Sequence, residues 1–237
     1  MLTPKRTLVE VAVDSAASAA MAEALGANRI ELCQCLELGG FTPSPGLLAA
    51  VRRRVRVPVF VMVRGAGGGF LYDSSEVEVM VEDVQRAREA GANGIVIGAL
   101  TGSGHIDQAA TRAMVAAAET LPVTFHRAID QVPDLPEALE QLVRLGVGRV
   151  LSSGGPTTAF AGRGVLAEMT RRAAGRLVIL AGGGVLGEHV AQLVRETGVA
   201  EVHLSGVILD NKSPDQGYGR ASMPNRARLE AVMAALA

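Results

Sequence analysis

The chain has 237 residues, a formal charge of −1 at pH 7, 49% hydrophobic residues, 3% aromatic residues and no Trp. So balanced a charge leaves no electrostatic footprint for nucleic acid or an acidic membrane surface, and small ligands or protein partners are expected instead. No run approaches the roughly 18 apolar residues of a spanning helix and the N-terminus lacks a long apolar h-region, so a cytoplasmic protein is expected.

Short β-branched runs alternate with Ala- and Leu-rich amphipathic segments, each pair taking about 20 to 35 residues. The pattern predicts strands at 8–14, 29–33, 57–64, 94–99, 123–127, 149–153, 177–181 and 201–205. The helices between them fall at 16–25, 45–54, 75–90, 107–119, 134–145, 157–174, 186–196 and 225–236. Ser74 or Ser75 is placed to cap the third helix, and Gly91, Gly146 and Gly198 fall just past helix ends. Eight βα units that begin with a strand fit a closed (β/α)8 barrel, the TIM barrel, as a single domain over 1–237. No Pro/Ser linker or charge block interrupts the chain, although 210–224 is polar and loop-like.

Alternation assigns each strand an outer and an inner face. Val9, Val11 and Val13 turn toward the helices, leaving Leu8, Glu10, Ala12 and Asp14 inside. The same rule turns inward Arg29, Glu31 and Cys33, then Phe60, Met62 and Arg64, then Thr124 and His126, then Glu201, His203 and Ser205. Barrel interiors are normally filled with branched apolar residues, so these charged groups mark either a buried ion-pair network or a site at the C-terminal mouth. Glu10 and Glu31 on adjacent strands would couple, and Arg64 pairing with either carboxylate is the structural alternative.

His126 and Arg127 in VTFHRAID sit at a strand end beside Asp130. Gly182, Gly183 and Gly184 follow the seventh strand, and Ser205 ends the eighth. Backbone N–H groups at those loops hold phosphate in many such barrels; a tight strand-to-helix turn is the other reading. Gly39, Gly40 and Pro43 are expected to turn the chain away from the mouth. Cys33 and Cys35 are spaced too closely for an easy disulfide; they offer soft thiolates to Cu(I), or are simply small buried hydrophobes.

The motifs LVEVAVDS, RIELCQCLELGGFTPSPG, VFVMVR, GIVIGALT, VTFHRAID, LSSGG and AGGGV, in that order, resemble the CutC family, whose members are named copper homeostasis proteins. The likeness covers nearly the whole chain and weakens beyond about residue 208. It implies a TIM barrel, a cytoplasmic homo-oligomer and a link to copper, with Cys33 matching the family's Glu-Leu-Cys cysteine and Glu10, Glu31, Arg64, His126 and Arg127 matching its polar mouth. The chain departs from the family at Ala12, where members often carry a cysteine, in the loop RGAGGGF, and at Cys35.

Two functions follow. One is weak Cu(I) binding through Cys33 and Cys35. The other is an enzyme of lyase, isomerase or hydrolase type acting on a small anionic metabolite, with Glu10, Glu31 or His126 as acid/base groups and Arg64 or Arg127 holding the anion.

Overall fold

A computed structural model describes residues 7–209 and 222–237. Eight parallel strands close into a barrel in sequence order: β1 (Leu8–Val13), β2 (Arg29–Leu32), β3 (Val59–Met62), β4 (Gly94–Ile97), β5 (Val123–Phe125), β6 (Arg149–Ser152), β7 (Val178–Gly182) and β8 (Glu201–Ser205). The helices are α1 (Ala16–Ala24), α2 (Pro45–Arg52), α3 (Ser74–Glu89), α4 (Gln108–Ala118), α5 (Leu135–Arg144), α6 (Arg163–Ala173), α7 (Gly187–Thr197) and α8 (Arg226–Leu236). The predicted (β/α)8 barrel is therefore the architecture observed. Among the described residues no helix is long and apolar enough to cross a membrane.

The side-chain alternation read from sequence holds. Val9, Val11, Val13, Ile30, Leu32, Val59, Val61 and Val63 join the core between strands and helices, whereas Cys33, Phe60, Met62 and Val96 form a separate cluster inside the barrel. Both faces of each strand are thus buried, which is why the strands are nearly continuous apolar runs.

Several boundaries differ from expectation. Asp73, not Ser74 or Ser75, caps α3, in a reciprocal capping box with Glu76. The sixth helix begins at Arg163 instead of 157, because residues 153–162 are bound sideways to neighbouring loops: Ala159 N donates to the Gly183 carbonyl at 2.8 Å, and Ser153 N and Gly155 N donate to Asp130. The expected strands at 57–64 and 123–127 both end sooner, and His126 instead caps a 3₁₀ turn over Arg127–Gln131. Of the polar stretch 210–224, Ser222–Pro224 forms strand β10, antiparallel to β9 (Val207–Leu209); residues 210–221 lie outside the described part, as do residues 1–6.

Deep in the barrel the interior is ionic. Arg29 bridges Glu10 and Glu201, donating to Glu201 at 2.6 Å, and Arg149 binds both oxygens of Glu201. Thr124 Oγ1 takes a further N–H of Arg149 at 3.2 Å. The Phe60 ring lies 4.9 Å from the Arg29 guanidinium and 5.5 Å from that of Arg149. That ring fits because Gly94 has no side chain: a Cβ there would stand 2.5 Å from Phe60 Cζ. Two guanidinium groups and two carboxylates are mutually neutralised, as burial demands. Replacing Arg149 with Met strands one carboxylate edge of Glu201 in the interior and should cost about 3–5 kcal/mol of stability. Equilibrium urea denaturation of the Arg149→Met variant against wild type measures the loss.

Candidate active site

Above the ionic layer, at the C-terminal ends of the strands, lies a cavity of about 200 Å³. Its polar lining comes from Glu31, Arg64, His126, Arg127, His203 and Ser205, and its apolar wall includes Met62, Phe70 and Leu151. An outer cavity of about 420 Å³ shares Gly39, Arg64, Phe70 and Arg127 with it. Leu36 and Gly39 line the inner cavity, so the loop after β2 folds over the mouth, contrary to the expectation that its glycines lead away. An antiparallel bridge between Gln34 and Phe41 and a 3₁₀ turn at Leu36–Leu38 hold that loop in place.

Register places Glu10 beside His203 and Ala12 beside both Glu31 and Ser205. Glu10 Oε1 lies 2.8 Å from His203 Nδ1, and His203 Nε2 lies 3.7 Å from Glu31 Oε2. These two carboxylates have opposite environments. Burial pushes Glu10 up, but the hydrogen bond and charge of His203, with the charges of Arg29 and Arg149, bring it down from 4.5 to about 2. Burial pushes Glu31 up too; the charge of Glu10 adds to this, and His203 opposes it without reversing it. Burial disfavours the His203 cation, yet the flanking Glu31 and Glu10 raise its pKa. Their surroundings push the two carboxylates apart: Glu10 is held ionised, and Glu31 is shifted toward its protonated form.

His126 is 4% exposed. The Ala128 N–H donates to its Nδ1 at 3.1 Å, which places the proton of the neutral ring on Nε2. Burial and then the charge of Arg64 lower its pKa from 6.5 to about 3, keeping it neutral. The ring occupies space left by Gly98, where a Cβ would overlap it, and packs against Phe70 with centroids 4.8 Å apart. Arg64 pairs with no carboxylate among the described residues. Its terminal nitrogens instead donate to the carbonyls of Leu38 (3.1 Å), Gly40 (3.2 Å) and Gly68 (3.0 Å), tying two mouth loops together between the rings of Phe41 and Phe70. Three buried atoms of residues lining this one cavity have no hydrogen-bond partner among the described residues: Glu31 Oε1, Arg64 Nε and His126 Nε2. Buried polar atoms in native proteins are rarely left so, and their convergence calls for a ligand.

The remaining expected residues are placed differently. Arg127 reaches the cavity but donates to Asp130 at 2.9 Å and Ser153 at 2.9 Å. Ser205 lines the cavity, whereas Gly182, Gly183 and Gly184 lie outside its lining. Gly182 makes room for Leu151 and His203, and Gly183 accepts the Ala159 bond and lies against Arg127. Cys33 is fully buried beside Glu31, Sγ to Oε2 at 3.6 Å, while Cys35 is half-buried with left-handed backbone, outside the cavity lining. Among the described residues the compact group of three metal-ligand side chains is Glu10, Glu31 and His203, with ligand atoms within 4.8 Å of one another. Sequence reasoning named Glu31 and His126 but missed the anchoring role of Asp130 and the aromatic wall at Phe70. The spacing His126-Arg127-x-x-Asp130 was the available signal for Asp130.

A closed parallel (β/α)8 barrel with carboxylate, imidazole and guanidinium groups gathered at its C-terminal mouth defines the class of protein: a TIM barrel with a polar mouth. A model of the CutC family matches residues 7–208, and the chain belongs to that family. It is 48% identical over 198 residues to a mouse (Mus musculus) copper homeostasis protein cutC homolog, covering 84% of this chain and 73% of the relative. It is 41% identical over 219 residues to a family protein CutC of Pasteurella multocida, covering 92% and 86%. The solved CutC structure from Streptococcus agalactiae superimposes with a TM-score of 0.80 at 32% identity, covering 83% of this chain and 97% of that one.

Because the His126 pKa is lowered on folding, the unfolded chain takes up a proton as pH falls through 6.5 while the native ring resists until about 3. Stability is therefore fully present above 6.5 and declines as pH falls between those values. The Asn side chain can accept the Ala128 bond without titrating, so a His126→Asn variant should lack the part of the decline between pH 6.5 and 4.5. Melting temperatures across that pH range compare the two proteins.

Proposed function

We propose that the protein is an enzyme of proton-transfer chemistry, of lyase or isomerase type, acting on a small anionic metabolite at the mouth of the barrel. The observation that carries this reading is the convergence of Glu31 Oε1, His126 Nε2 and Arg64 Nε, all buried and unpartnered among the described residues, on one cavity. Glu31 is the general acid/base, its pKa raised toward the working range by burial and by Glu10. His203, fixed by Glu10 at Nδ1, sits beside Glu31 and balances its charge when the proton leaves. His126 is a neutral donor and Arg64 a buried cation for the oxygen on which negative charge develops.

The names of the relatives point to copper, which as Cu(I) sets a test for the donor set. That ion favours thiolate sulfur. Here burial, followed by the Glu31 charge, holds the Cys33 thiol well above its usual pKa, in a pocket of Phe60, Met62, Val96 and Leu36. Neither Cys33 nor Cys35 lines the cavity, and the compact ligand group is two carboxylates and an imidazole. This donor chemistry fits a thiolate copper site poorly. Under reducing conditions Cu(I) stoichiometry should be the same for wild type and Cys33→Ser; loss of one copper per chain in the variant would restore the cysteine assignment.

The enzymatic reading is tested by incubating the protein with small hydroxy- and oxo-acids in D₂O and following carbon-bound deuterium by mass spectrometry. Wild type should exchange at least one such compound. Glu31→Gln should lower the rate by about 10²–10⁴-fold. Equal rates in the two proteins would refute the role of Glu31.

A further inference from the structure

We propose that the cavity selects a small hydroxylated monocarboxylate over a phosphate ester, its carboxylate taken by Arg64 and His126 and its hydroxyl by Glu31. This deepens the enzymatic reading above and rests on it for the role of the bound molecule.

Charge comes first. In the barrel interior Glu10 and Glu201 are matched by Arg29 and Arg149, and His203 faces Glu31. Arg127 is matched by Asp130. Arg64, 5% exposed, is the cavity cation with no carboxylate among the described residues. His126 adds a donor without a charge, being buried beside that guanidinium. Among the described residues the Arg64 charge thus meets no carboxylate, and two N–H donors, Arg64 Nε–H and His126 Nε2–H, have no hydrogen-bond partner. A carboxylate brings one negative charge and two acceptor oxygens. A phosphate ester brings close to two charges and three acceptor oxygens, leaving a charge and an oxygen unmet in a buried site, which is costly.

The loop after β6 offers no second anion site. The loop after β6 has the backbone and hydroxyl donors of an anion cradle, but Asp130 already fills it: Ser152 Oγ donates at 2.5 Å, Ser153 N at 3.1 Å, Ser153 Oγ at 2.8 Å, and Gly155 N at 3.3 Å. The protein's own carboxylate takes the donors that an anion would need in that loop. The hydroxyl requirement comes from Glu31 Oε1, which meets no protein donor. A hydroxyl both donates and accepts, so it serves Glu31 in either protonation state. Size agrees, since 200 Å³ bounded by Met62, Phe70 and Leu151 suits a molecule of a few heavy atoms.

Isothermal titration calorimetry with glycolate, acetate and inorganic phosphate at low salt tests the proposal. Glycolate should bind wild type, acetate about tenfold more weakly for want of the hydroxyl, and phosphate should neither bind in the cavity nor displace glycolate. His126→Leu should weaken both carboxylates about tenfold, while His126→Asn, which keeps an N–H donor, should stay close to wild type. Phosphate binding as tightly as glycolate would overturn the proposal, and that arm needs no variant to fold. Unchanged glycolate binding in a His126→Leu protein that melts like wild type would also overturn it. Glycolate selectivity together with unimpaired deuterium exchange in Glu31→Gln would uphold this inference while refuting the catalytic role of Glu31.

Discussion

The neutralised cluster of Glu10, Arg29, Arg149 and Glu201 is the constraint on which the rest of the barrel depends. A barrel centre filled with charge is stable only if every charge is matched and every hydrogen bond satisfied. The cost explains the packing around it. Phe60 lies against both guanidinium groups, and Gly94 opens the room its ring needs. An apolar layer would have packed as well and left nothing to orient His203.

That layer sets the chemistry above it. Glu10 faces two ways, to Arg29 below and to His203 Nδ1 above. Cations on both sides make it a permanent anion, and a permanent anion fixes the His203 ring. Glu31, one strand over, has His203 on one side, the cavity on the other and no guanidinium bonded to it, so its proton affinity rises. Two glutamates in adjacent strands acquire different roles because the arginines are distributed unequally. This separation of acid and anion recurs where a fold runs proton chemistry near neutral pH. On the far side of the cavity, Arg64 performs two tasks. Its ends bind the Leu38, Gly40 and Gly68 carbonyls, tying two mouth loops together, and among the described residues its Nε has no hydrogen-bond partner.

Much of this was legible in the sequence. Period-two alternation placed Glu10, Arg29, Glu31, Arg64, His126 and His203 inside before any coordinates, because a strand of a barrel has only two faces. Which of those charges cancel was not legible. Arg149 opens the sixth strand on the face it shares with Leu151, and nothing local says that it pairs with Glu201, 52 residues on. The part played by several glycines was hidden for a related reason. Gly94, Gly98 and Gly182 give space to Phe60, His126 and His203, a role set by residues on other strands. Asp130 was visible only as an acidic neighbour of Arg127; its occupation of the loop after β6 is a three-dimensional fact. The cysteines draw attention because thiols are rare in this chain; Cys33 sits among apolar side chains beside the Glu31 carboxylate, which the sequence did not show.

The central claim is that burial and unequal neutralisation split Glu10 and Glu31 into a fixed anion and a proton-exchanging acid. The most direct measurement is a ¹³C-carboxyl NMR titration of the glutamate side chains, with Glu10→Gln and Glu31→Gln variants used to assign the two signals. The expected result is that the Glu10 carbon stays ionised far below the usual carboxylate range while the Glu31 carbon titrates above it. Glu31 titrating at or below the position of Glu10 would contradict the account.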